Sequence, residues 1–434
     1  MEHKKIHRSF IAELPPAQTT SVVIRGWITR LRRLSKNVFI VVRDCSAEIQ
    51  CVFAPEAVEH LSLKIEDAIQ VEGMLVQDPR AKGGLEIIGE TVTVLNTASN
   101  SLPFNSASDS AVVSQEVILQ YRPLSLRTKL YSDIFAVQGA ILRLFREFLT
   151  RERFSEIITS KIVGGGTEGG TNVFEIKYFE RSAYLAQSPQ FFKEHCVAGL
   201  ERVFETGHVY RAEPHASSRH LTEYYSLDLE MGFIDGPEDI IELERRLLDY
   251  IFHELNTSHR EALMTHRKEL LPSMKNVPIW QFSECLKRLE KTHNRRDLID
   301  DLDPEAERQL CALAKEECGV GAVFVLGFPL SGRPFYTAPR GDSEISNGFD
   351  LLFEGLEITT GGQRLHQRHD LEEALRRRRM DPANFEDHLR MFELGMPPHG
   401  GLAIGLERLT AQILKRNNVR DASLYPRDRY RVSP

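Results

Sequence analysis

The sequence predicts an α+β protein in which a small five-stranded β-barrel precedes a larger antiparallel sheet flanked by helices. Three observations lead there. Residues 21–96 break into short β-rich segments separated by turn signals. A polar stretch, NTASNSLPFNSASDSAVVSQ, then interrupts the pattern. Beyond it, helical and strand patterns mix without the regular βα alternation of a doubly wound sheet. A chain of 434 residues is too long for one ordinary core and suits two domains.

The first tenth is distinctly basic: Lys4, Lys5, Arg8, Arg25, Arg30, Arg32, Arg33, Lys36 and Arg43 face only Glu2 and Glu13 before Asp44. A charge run alone is most often a solvated face, but here it leads into SVVIRGWITRLRR, NVFIVVRD, AEIQCVFA, DAIQVEGMLVQ and LEIIGETVTVLN. Five such segments without a βαβ unit predict a barrel of the oligonucleotide-binding (OB) type, with cations suited to nucleic acid. Helical character within it is confined to LSLKIEDA. After the barrel domain, 1–100, residues 101–130 are expected to form a linker. In the remainder, 131–434, Ile134, Val137, Ile141, Leu144, Phe145 and Phe148 recur at helical spacing, and the β-rich IITSKIV follows. Residues 238–320 carry helical patterns, IIELERRLLDYIFHELN and PEAERQLCALAKEE among them.

Composition excludes several classes. With 55 Lys and Arg against 62 Asp and Glu the net charge is −7, which by itself argues weakly against a nucleic-acid partner. The 6 cysteines form no CxxC pair, so neither zinc nor redox chemistry is indicated. No apolar run approaches the roughly 20 residues of a membrane span, and MEHKKIHRSF lacks a signal-peptide core, so a cytoplasmic protein is expected.

Three stretches carry chemistry. In RVFETGHVYRAEPHASSRHLTEYYSLDLEMGFID, Leu227, Leu229, Met231 and Phe233 alternate with Ser226, Asp228 and Glu230, giving a core face and an acidic face. Arg211, Arg219 and His220 crowd the same hairpin, which suits a phosphate at one end and an ammonium at the other. In GFDLLFEGLEITTGGQR, a two-residue turn at Glu354-Gly355 pairs Leu352 with Glu357 and Asp350 with Thr359. Asp350 and Glu357 then share a face, an oxygen donor set for a hard cation such as Mg²⁺. In GMPPHGGLAIGLERLTAQIL, a Gly-rich strand enters a helix near Leu406, with Arg408 in its first turn. The glycines suit either close approach to a planar ligand or tight packing between elements.

Together these residues resemble the class II aminoacyl-tRNA synthetases, specifically aspartyl-tRNA synthetases of the archaeal and eukaryotic type. The likeness runs from about Arg25 to Pro434, with YRAEPHASSRHLTEYYSLDLEM similar to the second signature motif and GGLAIGLER to the third. It implies a class II antiparallel catalytic domain behind an anticodon-binding OB domain. It further implies ATP as substrate, Mg²⁺ as metal, and adenylate formation before transfer to tRNA(Asp). Arg211 would hold the α-phosphate and Glu213 the adenine end. Arg219 and His220 would hold the outer phosphates, Tyr224 would stack on adenine, and Arg408 would sandwich that ring. Asp350, Glu357 and Thr360 match the metal set; here the resemblance favours Thr360 over Thr359, with a bulge at the following glycines as the reason. Glu168, in the loop Thr167–Gly170, would meet the ammonium. Ser188, Gln190, Lys193, Asp228, Thr360 and Arg364 would complete the aspartate pocket, with Lys193 and Arg364 facing the β-carboxylate.

In the barrel, Thr29, Phe39, Gln50 and Lys82 match tRNA-reading positions. Lys82 argues for strict charging of tRNA(Asp) and Thr29 for leakage onto tRNA(Asn). The resemblance also implies a homodimer through the helix around Ile141 and IITSKIV, where Ser160 replaces the family's proline and predicts a weaker pairing. Two barrel turns depart from the family, at Leu34-Ser35-Lys36 and at Arg43-Asp44-Cys45-Ser46-Ala47, which lacks its glycine. Competing readings are an amide-forming paralog that passes the adenylate to an amine and a catalytically silent RNA-binding protein, with an asparagine-specific relative as a third. The basic barrel argues against the first, and the full set of ATP and metal positions against the second.

Overall fold

The computed structural model describes residues 7–15, 19–81, 83–99, 101–107, 113–166, 172–214 and 217–434. The chain divides into two compact units, Met1–Thr128 and Lys129–Pro434.

In the first unit, β1 (Thr20–Arg33), β2 (Val38–Arg43), β3 (Glu48–Phe53), β4 (Ala68–Gln77) and β5 (Leu85–Asn96) close into a barrel in the order β1-β2-β3-β5-β4. Alternation drives the closure: Val38, Ile40 and Val42 of β2 and Ile69, Val71 and Leu75 of β4 turn inward and are buried, while the residues between them are half-buried. The β2–β3 turn manages without a glycine because Asp44 ties it. Its carboxylate accepts hydrogen bonds from the amides of Ser46 (2.7 Å) and Ala47 (3.0 Å), and its own N–H donates to the Ala47 carbonyl at 3.1 Å.

Two expectations are corrected in this unit. LSLKIEDA is not helical; the short helix α1 is Pro55–Val58, opened by proline at its first turn. The stretch 101–130 is not a bare linker either. It carries α2 (Gln115–Gln120) and α3 (Arg122–Ser125), and Arg127 bonds Glu66 at 2.9 Å with its guanidinium 4.4 Å from the centre of the Trp27 ring.

The second unit opens with α4 (Lys129–Arg151), which buries the predicted stripe from Ile134 to Phe148. Then come β6 (Ser155–Glu156), β7 (Ile162–Val163), β8 (Glu175–Tyr178), β9 (Arg181–Leu185), α5 (Gln190–Leu200), β10 (Arg202–Tyr210) and β11 (Glu223–Gly232). After the helices α6 (Pro237–Ser258), α7 (Arg260–His266), α8 (Phe282–His293) and α9 (Pro304–Cys318), with β12 (Ile279–Gln281) before α8, the chain forms β13 (Ala322–Leu326), β14 (Gly348–Phe353) and β15 (Leu356–Gln363). It ends through α10 (Arg368–Arg377), α11 (Glu386–Leu389), β16 (His399–Gly405) and α12 (Leu406–Ile413).

Among the described residues the sheet has eight strands in the order β12-β13-β14-β15-β16-β11-β10-β6. Its centre is antiparallel as expected, but both edge pairs, β12–β13 and β6–β10, are parallel. IITSKIV contributes only Ile162 and Val163 to a strand, since 157–161 is irregular and β6 lies just before it. Phe233, expected on the core face, is instead 72% exposed: β11 ends at Gly232 and Phe233 turns away with φ +59°.

Candidate active site

β11, β16, β15 and β14 lie side by side, and cross-strand partners share a face. Asp228 opposes Ala403, Ala403 opposes Thr360, and Thr360 opposes Asp350, so the four form one row across the sheet. The Glu354-Gly355 turn forms with both residues at positive φ, and Leu352 pairs with Glu357 as the sequence predicts. The register then shifts between Leu351 and Leu352, leaving Ile358 unpaired and bringing Thr360, not Thr359, opposite Asp350. The bulge thus lies before the two threonines rather than at the glycines after them. Thr359 points to the opposite face and donates to the Glu244 carboxyl of α6 at 2.6 Å, while Thr360 donates to Asp350 at 2.7 Å.

Above this row is a cavity of about 350 Å³, within the range of small-ligand sites. Its lining includes Ser188, Gln190, Arg211, Glu213, Arg219, His220, Tyr224, Glu357, Thr360, Arg364 and Arg408, residues that the sequence places far apart. One end is cationic. The Arg211 guanidinium lies 5.9 Å from the Tyr224 ring centre, and Arg408 donates to the Glu357 carboxylate (3.3 Å), the Glu357 carbonyl (3.2 Å) and the Arg219 carbonyl (3.3 Å). Arg219 pairs with Glu307 of α9. Desolvation pushes the His220 imidazole below its ordinary pKa, and the cations Arg408, Arg219 and Arg211 add to that against Glu213. Burial pushes the Glu357 carboxyl up and Asp350 adds to the shift, while Arg408, Arg333 and Arg211 pull it back.

The other end is a buried polar wall. Arg364 donates to Glu230 at 2.9 Å and to the Gly401 carbonyl at 3.1 Å. Gln190 donates to Glu194 at 2.7 Å. Glycine at 401 makes the Arg364–Glu230 pair possible, because a Cβ there would collide with the Leu229 carbonyl and the Glu230 carboxylate. A Cβ at Gly400 would likewise strike Ile240 and the Gly362 carbonyl. These two glycines therefore serve packing within the sheet. Gly361 and Gly405 are the glycines that reach the cavity.

Three expected site residues are not in the lining. Lys193 and Asp228 are fully buried and bonded to each other at 2.9 Å, with Glu230 3.5 Å from the ammonium, so Lys193 faces the protein's own carboxylates rather than the cavity. Asp350 is also buried, held by the two-toothed fork of Arg333 at 2.8 and 2.7 Å. Glu168 lies outside the described residues.

Sequence reasoning missed Arg333, Tyr336, Gln187, Ser226 and Glu407, all of which line the cavity. Arg333 in SGRPFYT had a usable signal, a lone arginine between breakers and aromatics in an otherwise apolar stretch. Glu407, adjacent to Arg408, is buried and pushed up to about 8 by desolvation, and it accepts the Tyr225 amide at 3.1 Å.

In the barrel unit, Phe39 and Gln50 alternate with inward residues on β2 and β3 and stay partly exposed, with Gln50 donating to Glu86 at 3.0 Å. Thr29 departs from expectation. It lies at the β1 bulge, only 2% exposed, and its hydroxyl points to the Val41 carbonyl at 3.4 Å, so it is not on the outer face. Lys82 lies outside the described residues. Among the described residues no cluster of three His, Cys, Asp or Glu side chains is arranged as a metal site, and no helix is long and apolar enough to cross a membrane.

Residues 114–429 match the family described as tRNA synthetases class II (D, K and N), and residues 22–95 match the OB-fold nucleic acid binding domain. The chain is 41% identical to the aspartate–tRNA(Asp/Asn) ligase of Thermus thermophilus over 98% of its own length and 100% of the relative's. It is 38% identical to the aspartate–tRNA(Asp) ligase of Pyrobaculum aerophilum, with 100% of both chains covered. Among solved structures, asparaginyl-tRNA synthetase from Pyrococcus horikoshii complexed with asparaginyl-adenylate superposes with a TM-score of 0.91 at 29% identity, covering 99% of this chain and 100% of that one. A putative aspartyl-tRNA synthetase from Leishmania major gives 0.89 at 28%, covering 100% and 96%.

Proposed function

The chain belongs to the class II tRNA synthetases of the D, K and N group, and from that premise we propose that its cavity activates L-aspartate with ATP and charges tRNA(Asp). The observation that carries the reading is the division of one cavity into a cationic end, with Arg211, Arg219 and Arg408, and a buried polar wall built on Gln190 and Arg364. The first suits a polyphosphate, and the second a small charged amino acid.

In this mechanism an α-carboxylate oxygen of aspartate attacks the α-phosphorus. That P–O bond forms as the bond to pyrophosphate breaks. A hydroxyl of the tRNA's terminal ribose then attacks the adenylate carbonyl and releases AMP. Positioning and charge stabilisation carry both steps. Arg211 steadies the α-phosphate, Arg219 and His220 the outer phosphates, and Tyr224, Glu213 and Arg408 the adenine. Ser188, Gln190 and Arg364 orient the amino acid, with Glu168 at its ammonium. Lys193 and Asp228 act from beneath the cavity as a neutral pair.

The oxygen donors Glu357 and Thr360 in the lining fit Mg²⁺, with Asp350 behind them, and burial with like charge at Glu357 is the strain a dication relieves. Bound there, Mg²⁺ supplies charge neutralisation on the phosphates. Asp350 joins such a set only by sharing an oxygen with Arg333.

The barrel presents Phe39 and Gln50, and in this reading Lys82, to the anticodon, with Thr29 acting only through the packing of β1. A homodimer formed through α4 and IITSKIV, residues 157–163, and a cytosolic location complete the reading. A second acceptor, tRNA(Asn), is favoured by the name of the Thermus thermophilus relative. Charging assays with labelled aspartate and each tRNA test both: aspartyl-tRNA(Asp) must form, and leakage onto tRNA(Asn) is expected at a lower rate. An enzyme that activates aspartate yet esterifies neither tRNA is an amide-forming paralog instead.

A further inference from the structure

Arg219 reaches the cavity from the loop after β10, and its guanidinium is already engaged: it pairs with Glu307, which projects from the first turn of α9. Glu307 belongs to none of the signature stretches. Its side chain is only 8% exposed, against 21% for that of Arg219, so the pair is largely shielded from solvent. Glu307 is anchored from a second side, since its carboxylate accepts the backbone N–H of Glu357 at 3.0 Å. The same carboxylate thus touches an arginine assigned to the outer phosphates and the strand that carries Glu357. The Arg219 carbonyl in turn accepts from Arg408, so loop, strand and α12 meet around this contact.

Resting on the ATP reading of the cavity, we propose that Glu307 is a placeholder for the outer phosphates of ATP: a positioning residue that occupies Arg219 before the nucleotide arrives and yields it on binding. A carboxylate offers a guanidinium the same paired oxygen acceptors as a phosphate, so exchanging one for the other keeps Arg219 neutralised throughout. While Glu307 holds the arginine, the apparent ATP affinity is reduced by the fraction of molecules in which Arg219 is free. When ATP takes over, Glu307 retains its bond to the Glu357 amide, which keeps that strand in place.

Glu307→Gln tests this, because the amide oxygen preserves the acceptor for the Glu357 N–H and only the charge that competes for Arg219 is lost. If Arg219 is free about one-tenth of the time, ATP affinity tightens by about tenfold. The expected result is a lower KM for ATP in aspartate-dependent pyrophosphate exchange, an equally lower Kd for ATP measured calorimetrically without aspartate, and an unchanged KM for aspartate. Glu307→Asp, which keeps the charge on a shorter arm, falls between the two. An unchanged or weakened ATP affinity in a folded Glu307→Gln protein overturns the placeholder, the weakened case because Glu307 would then be helping Arg219 rather than competing for it. Failure of the parent protein to exchange pyrophosphate with aspartate would count against the ATP reading itself, whereas a parent that exchanges while Glu307→Gln leaves ATP affinity unmoved sinks the placeholder alone.

Discussion

Lys193→Met separates two explanations of the lysine beneath the cavity. Methionine fills most of the volume of the buried stem, so the substitution chiefly deletes the ammonium. In the structure that ammonium sits 2.9 Å from Asp228 and 3.5 Å from Glu230, with side chains no more than 2% exposed. Glu230 keeps Arg364 as a partner, but Asp228 is left buried without its cation. Removing one member of a buried pair costs about 3–5 kcal/mol, against about 1 kcal/mol or less for an exposed pair. Urea unfolding should therefore show a loss in the upper range. The KM for aspartate should rise at least about tenfold, because an unpaired carboxylate under the site repels an anionic substrate. Adding Asp228→Asn restores neutrality, so the double variant should regain most of both losses. If Lys193 instead touched the β-carboxylate directly, the double variant would bind aspartate no better than the single one, and the account of a self-neutralised pair would be wrong.

Other variants probe the remaining parts. Glu357→Ala should lower kcat/KM for pyrophosphate exchange by about a hundredfold or more, the scale of a lost electrostatic group in a site, with little change in Tm because the side chain lines the cavity rather than the core. Exchange at the parental rate would move the metal elsewhere. Glu244 of α6 is raised by burial from the ordinary 4.5 to about 8, so the folded state binds its proton more tightly than the unfolded chain. Its contribution to stability therefore falls as pH rises from about 4.5 through about 8. Glu244→Gln should flatten that decline in unfolding free energy, leaving the part due to Glu407. Ile158, 95% exposed between β6 and β7, should lie in the homodimer contact, and Ile158→Asp should shift sedimentation towards monomer; an unshifted dimer would place the interface elsewhere.

Period was legible in the sequence, and register only beside the Glu354-Gly355 turn. The barrel strands announced themselves because Val38, Ile40 and Val42 alternate with half-exposed residues between clear turns, and α4 did so through its stripe from Ile134. The bulge at Ile358 has no such signal, since Glu, Ile and Thr suit a regular strand equally well, and only pairing with β14 settles which threonine faces Asp350. Alternation also predicted the acidic face of β11 without saying that α5 covers it; the ligand-facing role of Lys193 came from the resemblance alone, and the structure bonds its ammonium to Asp228. Thr29 was misplaced because a bulge in β1 turns it inward. Arg333 was overlooked because its partner Asp350 lies 17 residues away; the breakers and aromatics around it single out the arginine but not that fork.

ATP–pyrophosphate exchange without tRNA, run with aspartate, asparagine or glutamate in turn, decides whether the cavity is an aspartate-activating adenylation site. Exchange should be robust with aspartate and at least about a hundredfold slower with either analogue, where the site's buried charged hydrogen bonds are left unmatched. Equal or faster exchange with asparagine, or none with aspartate, would contradict that assignment.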